Sequence, residues 1–172
     1  EHNMAITRLG PNQSVNLASN VTGTLPAANG GSGRTAVTGN VLQVISTSAA
    51  DDLVTTSTSF VDINLSLNIT PSATSSKIFV VYTGNNETNG TGGNRLSVQM
   101  LRDSTQIADA TGVGSLGSEN GIVTSASLSV LDSPSTTSQI TYKMQGKSDD
   151  GTVMVFNVNN DLGTITAYEI AG

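Results

Sequence analysis

The stretch Ser59-Phe60-Val61-Asp62-Ile63-Asn64-Leu65-Ser66-Leu67-Asn68-Ile69 decides the fold class of this chain. Val61, Ile63, Leu65, Leu67 and Ile69 take alternate positions, and Asp62, Asn64, Ser66 and Asn68 fill the gaps between them. Successive side chains of a strand point to opposite faces, so the pattern is that of a strand with one face on a core and the other in water. Pro71 stops it, because proline has no N–H to give to a ladder.

The same signal recurs on both sides. Val41–Ser46 precedes it, and Lys77–Thr83 is a nearly unbroken apolar run of the kind a central strand carries. Arg95–Arg102 alternates Leu96, Val98 and Met100, and Asp103-Ser104 makes a short turn into Thr105–Ala108, which predicts a hairpin. Ile122–Leu131, Ser138–Gln145, Thr152–Val158 and Thr164–Ala171 follow, with Asp149-Asp150-Gly151 and Asn159–Gly163 as turns. About nine strands with regularly spaced turn signals predict an all-β chain, an antiparallel β-sandwich of jelly-roll type over residues 41–172.

Composition agrees. Ser, Thr, Asn and Gly make up nearly half of the 172 residues, and only 12% are charged. Such a chain lacks the Glu and Lys that cover helices and has the residues of strands and turns. Apolar residues reach 36%, but aromatics only 3%, with no Trp. A sandwich can close on Val, Ile and Leu, yet a thin core is often supplemented by surface buried between subunits, which points to an obligate oligomer. A net charge of −6 with seven dispersed Lys and Arg excludes a basic nucleic-acid face and disfavours anionic lipid. No apolar run is long enough for a membrane span, and with no cysteine there is no disulfide and no thiolate metal site.

Residues 4–40 read differently. Glu1-His2-Asn3 reads as a tag remnant, with Met4 as the natural start. Beyond it Ile6, Leu9, Val15, Leu17, Val21 and Leu25 are isolated apolar residues without a period, and Asn29 to Gly33 is a hinge signal. Such a segment cannot bury enough surface alone to offset its ordering entropy. It is expected to be an extended arm and hinge that gains structure from other chains, with Leu17, Val21, Leu25 and Pro26 as its anchoring residues.

Enzyme chemistry finds little support. The lone histidine, His2, stands in the presumed tag, so neither a Ser-His-Asp set nor a histidine metal cluster is available. The acids fall mostly in turns, where carboxylates cap backbone amides rather than face each other as a catalytic pair. Gly112-Val113-Gly114-Ser115-Leu116-Gly117 fits G-x-G-x-x-G, but no helix opens after it to hold a phosphate. No catalytic residue, cofactor or metal is expected. Two long polar segments, Gly84–Asn94 and Asp109–Gly121, read as loops on a rigid sandwich, where recognition tends to reside. Asn85, Asn86, Glu87, Thr88, Asn89, Asn94, Glu119 and Asn120 are the candidate receptor-binding residues, with amide, hydroxyl and carboxylate groups suited to sugar hydroxyls.

The run Val21-Thr22-Gly23-Thr24-Leu25-Pro26-Ala27-Ala28-Asn29-Gly30-Gly31-Ser32-Gly33 resembles the TGTLP-x-ANGG-[ST]-G motif of bacteriophage tail fibres. Thr74–Ile78, Leu101–Thr105, Leu131–Thr137, Thr141-Tyr142-Lys143 and Thr164–Ile170 resemble a group of phage and marine-virus structural domains. The resemblance implies a homotrimeric virion protein that attaches to another virion structural protein through its N-terminal arm. Its β-rich head would then face the host surface polysaccharide. No shaft separates arm from head here, which fits a short fibre, or a capsid decoration protein without a receptor.

Overall fold

A computed structural model of the chain describes residues 38–49, 51–89, 94–114, 122–157 and 162–172. The described residues all belong to one compact unit, Thr38–Gly172. The expected anchoring residues Leu17, Val21, Leu25 and Pro26 lie outside the described residues, as do Glu119 and Asn120.

Ten strands make up the described part: β1 Val41–Ala49, β2 Leu53–Thr55, β3 Val61–Ile69, β4 Lys77–Asn89, β5 Arg95–Arg102, β6 Thr105–Gly114, β7 Ile122–Asp132, β8 Ile140–Ser148, β9 Val153–Phe156 and β10 Gly163–Ile170. All pairings are antiparallel. The partners nest: β5 with β6, β4 with β7, β3 with β8, β2 with β9 and β1 with β10. The chain is thus one long folded ribbon whose tip is the β5–β6 hairpin. Cross-pairings of β10 and β9 with β4, and of β5 with β8, roll that ribbon into two facing sheets. One sheet has β7, β4, β10 and β1 side by side, with β9 and β2 continuing beyond β10 along β4; the other runs β3, β8, β5, β6. This is a jelly roll.

The strand that announced the fold behaves as its alternation demands: Ile63, Leu65, Leu67 and Ile69 are buried, and Asp62, Asn64, Ser66 and Asn68 are exposed. The predicted hairpin turns at Asp103, which adopts φ 54°. Aspartate tolerates this left-handed conformation better than most residues. Its carboxylate and amide also tie the tip to Thr141: Oδ1 accepts from the Thr141 N–H at 3.0 Å, and the Asp103 N–H donates to the Thr141 carbonyl at 2.7 Å.

Between the sheets lies one core, including Ile78, Val80, Tyr82, Leu96, Val98, Tyr142, Phe156 and Ile165, all fully buried. Met100, Met144 and Met154 are fully buried as well. Flexible thioethers fill irregular space that a chain this poor in aromatics cannot fill with rings.

Two polar clasps close the ends of this core. The Glu169 carboxylate, 1% exposed, accepts from the Ser72 N–H and Oγ at 2.6 Å each, from Ser76 Oγ at 2.7 Å and from Gln43 Nε2 at 2.6 Å. It holds the corner where the chain leaves β3 and enters β4. Elsewhere Asp132, from one sheet, receives Arg102 Nη1 at 2.8 and 2.9 Å and the Tyr142 hydroxyl at 2.6 Å, both from the other sheet. Burial, followed by the neighbouring carboxylate, pushes the Tyr142 phenol far above its usual range, so it stays a donor. Asp132→Asn is expected to lower stability by about 1.5 kcal/mol, because a charge-assisted bond to each partner weakens. A urea midpoint that falls with an unchanged slope is the result to look for.

Candidate functional site

The segment Gly84–Asn94 is corrected by the structure. It is not a loop through Asn89: β4 continues that far, paired with β7 up to Thr88 and with β9 from Asn86 to Asn89. Gly84, Asn86 and Thr88 continue the inward series begun by Ile78, Val80 and Tyr82, and Asn86 and Thr88 are 0% and 3% exposed. Asn94 is buried too. Three of the expected receptor-binding residues are therefore inside the head and cannot meet a receptor. Asn85 and Glu87 face outward from the same strand, and Asn89 ends it. Asp109–Gly114 is likewise the second half of β6 and not the start of a loop.

Polar residues follow β4 inward because the core itself turns polar there. The Tyr82 hydroxyl, Asn86 Oδ1 and Asn157 Oδ1 are buried without a hydrogen-bond partner among the described residues. Burial raises the Tyr82 phenol to about 12, and the nearby Asn86 amide partly opposes it. Asn157 Nδ2 reaches the Ile63 carbonyl across the sandwich at 3.4 Å.

Outward-facing polar groups converge in two hollows. The first is on the β3–β8 sheet. Asp62 pairs with Gln145 and Ser66 with Lys143, so β3 carries two more residues than β8 over this interval. The extra length forms a bulge, with Asn64 at φ 59°. The bulge opens a hollow lined by Asp62, Asn64, Ser66, Thr141 and Lys143, with Leu65 and Met144 at its floor. Asp62 accepts from Gln145 Nε2 at 2.6 Å and pairs with Lys143 Nζ at 3.1 Å. The Gln145 bond, ahead of the Lys143 charge, holds its carboxyl below the usual range against a modest desolvation. Beside it, Lys147 Nζ sits 5.4 Å from the centre of the Phe60 ring. A carboxylate, an ammonium, an amide and two hydroxyls on one open surface can hydrogen-bond a polyhydroxylated ligand from several directions. Sequence reading missed it because each residue is an ordinary solvent-facing strand position; only the bulge brings them around a hollow.

The second hollow is on the opposite sheet and is lined by Thr83, Asn85, Ser125, Ser127 and Leu162. Asn85 Oδ1 accepts from Ser125 Oγ at 2.6 Å. It holds one of the residues singled out from the sequence and carries no charge.

No protein-family model and no curated protein matches the chain. Among solved structures, the infectious bursal disease virus Gt strain is similar at 14% identity and a TM-score of 0.42, over 78% of this chain and 39% of that one. The VP2 subviral particle of the same virus is similar at 17% identity and a TM-score of 0.39, over 76% and 38%. The Stig cyclase Fisc from Fischerella sp. TAU is similar at 14% identity and a TM-score of 0.37, over 62% and 54%. The chain spans about two fifths of the two viral chains. At this level the likeness carries nothing about what the chain does.

Proposed function

We propose that this chain is a structural protein of a bacteriophage virion, a short homotrimeric fibre and not an enzyme. Its N-terminal arm anchors it to the particle, and its jelly-roll head meets the host surface. The observation that carries this reading is the run Val21–Gly33, which resembles the fibre motif and lies directly ahead of a β-sandwich head. Host contact is assigned to the hollow at the β3 bulge, where Asp62, Asn64, Ser66, Thr141 and Lys143 offer donors and acceptors to a surface polysaccharide. The long polar segments expected from the sequence to play this role are in large part taken up by β4 and β6.

Cryo-electron microscopy of the purified particle tests the reading. Head density at the tail or portal is the expected result. Density at capsid lattice points would favour a decoration protein, and absence from the particle would overturn both. The host contact is tested separately with the full chain. Asp62→Ala combined with Lys143→Ala should reduce adsorption to host cells by about tenfold, the loss of roughly one charge-assisted bond. Unchanged adsorption removes this hollow from the proposal.

A further inference from the structure

The outward face of the β1–β10–β4–β7 sheet carries a feature that solvent does not explain. Val44, Tyr168, Phe79 and Leu131 stand directly opposite one another on four neighbouring strands, forming one apolar row across the full width of the sheet. Phe79 and Tyr168 are in ring contact, with centroids 6.1 Å apart. Val44 and Leu131, at the two ends, are 54% and 57% exposed. Val81 and Ile170 flank the row, and Val41 and Leu42 extend it at the sheet edge. The chain has only three Phe and three Tyr. Two of these six lie on the outer side of a sheet, where an antiparallel sandwich normally places polar residues.

The rest of this face bears on which partner would suit it. The next rows, Ser46-Thr166-Val81-Ser129 and Ser48-Thr164-Thr83-Ser127, are small and mostly hydroxylated. Of the outward positions on these four strands, only Lys77 and Glu87 are charged, and they stand at opposite ends of β4. A chain of net charge −6 repels its own copies except through a face like this one. A strongly charged partner would find little here to pair with, whereas another copy brings the same neutral, apolar-centred surface.

We infer that the Val44–Tyr168–Phe79–Leu131 row is where the heads of this protein pack on one another, facing the shared axis of the trimer. The inference rests on the homotrimeric reading above and adds which face makes the contact. It leaves the bulge hollow, on the opposite sheet, turned outward. Burying an aromatic pair and its aliphatic neighbours at the centre of an otherwise polar contact is how interfaces concentrate their binding energy.

The test uses the full chain. Light scattering should give wild type about three times the mass of one chain. Val44→Lys combined with Leu131→Lys should bring it down about threefold with the far-UV spectrum unchanged. Both side chains are already more than half exposed, so the fold does not need them. Phe79→Asp should do the same, and Asn68→Asp, an added charge on the other sheet, should leave the wild-type mass. A trimer that survives both substitutions on the row, with the fold intact, overturns the assignment of the face while leaving the trimer standing. A monomeric wild type overturns the trimer and this inference together, whether the row then stays bare or is covered by another virion protein. If the double variant loses its fold, hydrogen exchange on wild type decides. Protection of the outer residues of β1 and β7 that is lost on dilution supports the contact, and protection independent of concentration overturns it.

Discussion

Glu169→Ala should lower the stability of the head by about 3 kcal/mol, since it removes the one acceptor shared by Ser72, Ser76 and Gln43. The loss is large because the donors stay behind. Ser76 is 1% exposed, so its hydroxyl is left buried without this acceptor. The corner between β3 and β4 also loses its tie to β10. Burial by itself pushes the Glu169 carboxyl up, but the bonds from Ser72, Ser76 and Gln43 outweigh it and hold the group down at about 2, against 4.5 for a free glutamate. Folding therefore favours the ionised form, and the unfolded chain takes up the proton first as acid is added. The contribution is complete above pH 4.5 and is lost as pH falls toward 2. Urea unfolding of wild type and Glu169→Gln at neutral pH and at successively lower pH should show their difference shrinking through that window. A difference that stays constant with pH would refute the role given to this carboxylate.

Gly146→Val is expected to be of similar size, about 3 kcal/mol, through overpacking. Gly146 faces inward from β8, with Val98 opposite on β5 and Val61 opposite on β3. A Cβ there would overlap the ring of Phe156, which comes across from β9 on the other sheet. The glycine is required by the close approach of the two sheets at this point and not by any turn. Phe156→Leu in the Gly146→Val background should recover part of the loss, although Phe156→Leu alone is destabilising. A coupling of about 1–2 kcal/mol of that sign in a double-mutant cycle is the expected outcome. Strictly additive effects would mean that the valine and the ring do not meet.

The strands were legible wherever apolar residues marked one face. β3 and β8 show this best: Ile63, Leu65, Leu67 and Ile69 on the first, and Ile140, Tyr142 and Met144 on the second, are all buried as their alternation requires. The reading failed where the inward face carries polar residues. In β4, Tyr82, Gly84, Asn86 and Thr88 keep the period of two, but Asn, Gly and Thr in a row carry the composition of a turn. They are strand because β7 lies along one edge of β4 and β10, then β9, along the other. The short strand β2, three residues long, was likewise invisible without its partner β9.

The candidate sites divide along the same line. A row such as Val44–Tyr168–Phe79–Leu131 draws on four strands spread from residue 44 to residue 168, and no local pattern joins them; register does. The hollow around Asp62 exists because β3 is longer than β8 between Asp62 and Ser66, a mismatch that appears only once the two are paired.

By itself the sequence determined that this chain is built of strands, where most of them lie and, where apolar and polar residues alternate as in β3, which side meets the core, because period-two burial is a local property of an extended backbone. It also carried the run Val21–Gly33, on which the functional proposal depends. Tertiary structure alone decided which strands are neighbours, which polar residues are buried and which apolar ones are left facing out. Those are outcomes of how a nested ribbon rolls up, and rolling brings together residues that are far apart along the chain.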